Sequence, residues 1–96
     1  QRQLAIARAL IARPKLMLMD EPSIGLAPKT LNEIFRLLKR INAEDRVSIL
    51  MVEQNVIKAL EIATRAYVMR VGAMDFMGPS EDVAKSERLA DAYLGT

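Results

Sequence analysis

Apolar positions in this chain follow two rhythms. Leu16, Met17, Leu18 and Met19 run without a polar break, whereas Leu31, Ile34, Phe35, Leu38 and Ile41 recur every three or four residues. An unbroken run followed by turn residues fits a strand covered on both faces, as in a parallel sheet. The wider spacing fits one face of a helix whose other face carries Glu33, Arg36, Lys39 and Arg40. Pro28 suits the first turn of that helix, where its missing amide hydrogen costs nothing.

The same reading extends along the chain. Leu4, Ala7, Leu10 and Ile11, among residues of high helix propensity, predict a helix over 3–12 that Pro14 ends. A strand is predicted over 15–20 and a second over the β-branched run 47–52. In the second, Val47, Ile49 and Met51 share one face and Ser48, Leu50 and Val52 the other, and both faces are expected to be covered. Asn55 is the expected cap of a helix through Ile57, Leu60 and Ile62. Short strands over 67–71 and 74–77 are expected to be joined by Gly72 and Ala73. Ser80 then caps a terminal helix, with Glu81 and Asp82 near the positive end of its dipole. Helices alternating with strands predict an α/β layered domain with a partly parallel sheet, and residues 1–96 read as one domain or a piece of one.

Candidate chemistry concentrates where the first strand ends. Asp20 and Glu21 are adjacent carboxylates, followed at once by Pro22, Ser23, Ile24 and Gly25. Proline biases the residue before it away from the helical region, so the chain is expected to leave the strand at Glu21. A nucleotide hydrolase uses such a pair to place one acid on the Mg²⁺ shell and the next on the attacking water. A core strand ending in a solvated acidic turn would show the same residues.

Composition removes other classes of chemistry. With neither cysteine nor histidine, the chain has no disulfide framework, no thiolate nucleophile, no imidazole base and no usual zinc set. Fourteen basic and twelve acidic residues leave a net charge of only +2, with the signs interspersed, which argues against nucleic acid as a partner. Apolar stretches are too short to cross a bilayer, so membrane association is expected through a protein partner. The six methionines read as core filling.

Several motifs in order resemble one family. Residues from Gln1 to Leu10 match the helix that follows the Leu-Ser-Gly-Gly signature of ABC-transporter ATP-binding subunits, Leu16 to Glu21 the Walker B strand, and Ser23 to Pro28 the interface loop after it. Val52, Glu53, Gln54 and Asn55 match the switch loop, and Asp75 to Pro79 a hairpin near the end of the domain. The resemblance runs to about Ala92, covers the C-terminal half of such a subunit, and is closest to the ATPases of branched-chain amino acid importers. It implies a fragment of a P-loop NTPase, a RecA-like three-layer domain. The Leu-Ser-Gly-Gly signature and a phosphate loop, glycines followed by Lys and Ser or Thr, are absent from the sequence and expected upstream.

The resemblance also implies roles. Asp20 would hold Mg²⁺, Glu21 would polarise the attacking water, and Gln54 would contact the γ-phosphate of ATP. Most of the wider family has a histidine where this chain has Gln54, and an amide donates a hydrogen bond without exchanging a proton near neutral pH. Gln1 and Arg2 would face the phosphates held by a second ATPase subunit. Ser23, Ile24, Gly25 and Leu26 would lie at the interface with that subunit, Gly25 at positive φ and Leu26 tucked under the next helix. A membrane permease would be the other partner, placing the protein peripherally on the cytoplasmic face of the membrane. The 96 residues alone are expected to be inactive. The alternatives are a nonenzymatic interaction module and a nucleic-acid-associated ATPase of the same superfamily, the latter disfavoured by the balanced charge. In the complete family domain a further strand lies between those matching 47–52 and 67–71. Without it, either these two strands close up or a second copy or another chain supplies the missing one, and self-association is the expected outcome.

Overall fold

Pro14 separates the first helix from the first strand, and the later helices give way to strands without proline or glycine. The computed structural model describes residues 2–89 and divides the chain into two compact units, Gln1–Gln54 and Asn55–Thr96. The first holds α1 (Arg2–Ile11), β1 (Leu16–Asp20), α2 (Pro28–Glu44) and β2 (Ser48–Val52). The second holds α3 (Val56–Ile62), β3 (Arg65–Arg70), β4 (Ala73–Pro79) and α4 (Ser80–Lys85).

In the first unit β1 and β2 pair in parallel, with Leu16 opposite Ser48 and Asp20 opposite Val52. Helix α2 packs on β2 and buries the stripe Leu31, Ile34, Phe35, Leu38 and Ile41. Pro28 starts this helix, and the Asp45 backbone N–H closes it by donating to the Ile41 carbonyl. Met17 and Val47 are buried as well, so the core of this unit combines the helix stripe with one face of the sheet. The other face departs from expectation. Leu16, Leu18, Leu50 and Val52 all remain exposed, Leu18 at 71%. Alternation in both strands places these four in one row, and α2 supplies apolar cover for the opposite row only.

In the second unit β3 and β4 form an antiparallel hairpin with an irregularity between Val68 and Met69. Arg70 pairs with Ala73, so the connection is Val71 and Gly72, one residue earlier than the sequence places it. Both residues have positive φ, 48° and 75°. A two-residue loop of this kind matches the right-handed twist of the flanking strands. Asn55 caps α3 as expected, its Oδ1 accepting from the Lys58 N–H at 3.3 Å. Ser80 does not act as expected, because Pro79 occupies the cap position of α4. The Ser80 N–H donates to the Thr64 carbonyl at 3.0 Å, while its buried hydroxyl has no partner among the described residues. Arg88 reaches back to the Asp75 carboxylate and carbonyl, with its guanidinium 4.9 Å from the centre of the Phe76 ring.

Within each sheet the pairing is complete at two strands. Among the described residues β2 pairs with β1 alone and β3 with β4 alone.

Candidate functional site

Parallel pairing in register makes β1 and β2 end at the same edge of their sheet. Beyond the carboxyl ends of parallel strands the connecting loops diverge, and ligands of open α/β sheets bind there. Four polar residues leave the strands at this edge, Asp20 and Glu21 from one and Glu53 and Gln54 from the other.

Asp20 is the last residue of β1 and is exposed, in the same row as Leu16 and Leu18. Mg²⁺ keeps several waters and binds through one or two carboxylates together with substrate phosphates. A single exposed carboxylate at a strand end suits that coordination, and no closed metal cage is needed. Among the described residues no group of three or more acidic, histidine or cysteine side chains is gathered in a way that would hold a metal.

Glu21 has left the strand, as Pro22 predicts, but into an unexpected region. Its φ is 47°, in the left-handed region, and its side chain is half-buried. The break in extended conformation ends strict alternation, so Asp20 and Glu21 are not bound to opposite faces as successive strand residues are. The Glu21 N–H donates to the Val52 carbonyl at 2.7 Å, carrying the parallel ladder one residue past the strand. Its own carbonyl accepts from the Ile24 N–H at 3.1 Å. Gln54, two residues beyond Val52, is exposed.

The loop after Glu21 is held from within. Ser23 donates both its hydroxyl and its backbone N–H to the Glu53 carboxylate, the second at 3.2 Å to Oε2. Leu26 closes a turn by donating to the Ser23 carbonyl at 3.2 Å. Gly25 has φ of 74°, as expected, and open space where a Cβ would stand, so a larger residue there meets backbone strain rather than a clash. Ile24 and Gly25 are exposed and Leu26 is half-buried. A groove beside this loop is lined by Gln3, Ile24, Gly25, Leu26, Thr30 and Glu33, and does not include Asp20, Glu21 or Gln54. Arg2 is the first residue of α1, and Gln1 lies outside the described residues.

Glu53 is the residue that the sequence reading passes over. Its signal is a carboxylate directly after an apolar strand, with a serine just beyond the neighbouring strand. Only the parallel register shows that the two meet.

No protein-family model matches the chain. Among curated proteins, it is 42% identical over 95 residues to a high-affinity branched-chain amino acid transport ATP-binding protein of Pseudomonas aeruginosa, covering 99% of this chain and 40% of that protein. A probable branched-chain amino acid transport ATP-binding protein of Archaeoglobus fulgidus is 33% identical, with coverage of 99% and 40%. A phosphonates import ATP-binding protein of Halalkalibacterium halodurans is 38% identical over 85 residues, 88% of this chain and 33% of that one. Thus the chain spans about 40% of the length of the first curated relatives it matches. Among solved structures, the ADP conformation of an ATP-binding cassette of an ABC transporter superposes with a TM-score of 0.83 at 27% identity, over 99% of this chain and 39% of that one. A dimeric cassette in a post-hydrolysis state, bound to ADP and Pi, gives 0.73 at 30% identity over 82% and 34%.

Proposed function

The chain belongs to the ATP-binding proteins of ABC transporters, most like those of branched-chain amino acid importers, and from that membership we propose that it is the C-terminal part of a subunit that hydrolyses ATP to drive amino-acid import. The observation that supports this most directly is the shared edge of β1 and β2, where Asp20, Glu21 and Gln54 leave adjacent parallel strands. Asp20 would hold Mg²⁺ through its water shell, and the ion would supply charge neutralisation at the phosphate oxygens. Glu21 accepts a hydrogen bond from the water that attacks the γ-phosphate. Gln54 donates its amide hydrogen to the γ-phosphate and takes no part in proton transfer. With Gln54 unable to exchange a proton near neutral pH, more of the role of base falls to Glu21. Gln1 and Arg2 approach the phosphates bound by a second ATPase subunit, and Ser23, Ile24, Gly25 and Leu26 meet that subunit. A membrane permease is the remaining partner, holding the protein at the cytoplasmic face.

Two measurements test this function. The coding sequence upstream of Gln1 should encode a phosphate loop and, directly before Gln1, the Leu-Ser-Gly-Gly signature; absence of both defeats the proposal. In the complete subunit, Glu21→Gln should leave ATP binding largely intact and lower turnover at least about a hundredfold, the lower end of what general-base catalysis contributes. Retained turnover would assign the water to another group.

A further inference from the structure

We propose that Glu53 is a positioning residue whose carboxylate, bonded to the hydroxyl and backbone N–H of Ser23, fixes the turn that sets Glu21 against the end of β2. The inference rests on the reading of Glu21 as the residue that acts on water.

Three observations carry it. First, Glu21 sits at φ of 47°, a conformation that L residues other than Asn and Asp seldom adopt. Such backbone persists only where the surroundings over-determine it. Second, the surroundings here are one short stretch of β2 and its exit. The Val52 carbonyl accepts the Glu21 N–H, and the Glu53 carboxylate accepts two donors from Ser23, so positions 21 and 23 are pinned on positions 52 and 53. Third, the link joins residues 30 apart in sequence, one in the loop after β1 and one in the loop after β2. A carboxylate can do this because its two oxygens accept from two donors of one residue at once. Charge-assisted hydrogen bonds of this kind are stronger than neutral ones.

The consequence follows from adjacency. Gln54 is bonded directly to Glu53, so a shift of Gln54 toward or away from phosphate moves the carboxylate on which Ser23 hangs. Glu21 and Gln54 therefore respond together. A residue that merely satisfied the Ser23 donors would stabilise the fold without setting the rate of the chemical step.

The test uses the complete subunit with four single variants and the double variant Glu53→Ala with Ser23→Ala. Glu53→Ala removes both acceptors, Ser23→Ala removes one donor, Ser23→Thr keeps the hydroxyl, and Glu21→Gln serves as reference. Misplacing a reacting group by a fraction of an ångström to one ångström lowers rates by up to about a hundredfold, so kcat should fall roughly tenfold to a hundredfold in Glu53→Ala and less in Ser23→Ala. KM for ATP should stay within about twofold, because the pair does not bind nucleotide. The double variant should be no slower than Glu53→Ala, and Ser23→Thr should restore most of the rate. Unchanged kcat in Glu53→Ala, a rise of KM in place of the fall in kcat, or additive losses in the double variant would each overturn the proposal. Should Glu53→Ala fail to fold, Ser23→Ala against Ser23→Thr decides the same question. Amide hydrogen exchange gives a readout independent of turnover: the Ser23 and Glu21 amides should exchange faster in Glu53→Ala, and unchanged exchange overturns the proposal. Retained turnover in Glu21→Gln would instead strike at the role of Glu21, with the exchange result still deciding whether Glu53 holds the turn.

Discussion

At the residue scale, two side chains show how local rules yield to their surroundings. Ser80 has the sequence signature of a helix cap, with acids at the next two positions, yet Pro79 takes the cap and Ser80 becomes the first residue of the helix. Its N–H is committed to Thr64, and its hydroxyl is buried without a partner among the described residues. Burying an unsatisfied hydroxyl costs free energy, and no hydrogen bond here offsets it. Ser80→Ala should therefore leave stability unchanged or raise it by up to about 1 kcal/mol, where loss of a true cap would lower it by a similar amount. Urea denaturation of the two forms gives the sign directly, and a clear loss of stability would mean that the hydroxyl has a partner after all. Glu53 is the opposite case. A residue that the sequence marks only as part of the switch-loop match gathers two hydrogen bonds from a residue 30 positions away.

At the element scale, the β3–β4 turn carries a cost that can be removed. Val71 is β-branched, 98% exposed, and held at φ of 48° by the requirement for positive φ at both loop positions. Gly72 meets that requirement freely and Val71 does not. Val71→Asn should stabilise the hairpin by roughly 1 kcal/mol, since Asn tolerates the left-handed region that a β-branched residue resists. Thermal unfolding of the chain checks this, and an unchanged or lower midpoint would contradict the turn as described. The same turn marks the limit of what the sequence discloses. Helix α2, strand β1 and the Asn55 cap were legible because their signals are local: apolar spacing, an unbroken run, and a side chain placed to accept from the N–H three residues on. The exact turn residues, the left-handed Glu21 and the Glu53–Ser23 link depend on register between strands, which apolar spacing does not encode. Asp20, Glu21 and Gln54 were readable as candidates from the residues and the family resemblance, while their shared edge became visible only with the parallel pairing.

At the scale of the whole molecule, exposed apolar surface sets the expectation. One row of the parallel sheet, Leu16, Leu18, Leu50 and Val52, lies open, and within the hairpin Tyr67, Met69, Met74 and Met77 are each about half exposed or more. Both two-stranded sheets also have unpaired edges, which recruit further strands unless they are blocked. Full burial of a Leu or Val side chain contributes about 1.5–3 kcal/mol, and these four are already partly covered, so closing the first row yields roughly 3–6 kcal/mol before the cost of association. Association itself costs about 4–15 kcal/mol, which offsets most or all of that gain. Self-association of the 96-residue chain is therefore expected to be weak from this row alone and to appear as a rise in sedimenting mass only toward high protein concentration. Leu18→Lys together with Leu50→Lys, which places two like charges across the paired register, should abolish that rise while leaving the α2 core intact. A cooperatively unfolding monomer over the whole concentration range would refute self-association without touching the family assignment. If instead the mass rises equally in the lysine variant, the open strand edges, and not the apolar row, carry the contact.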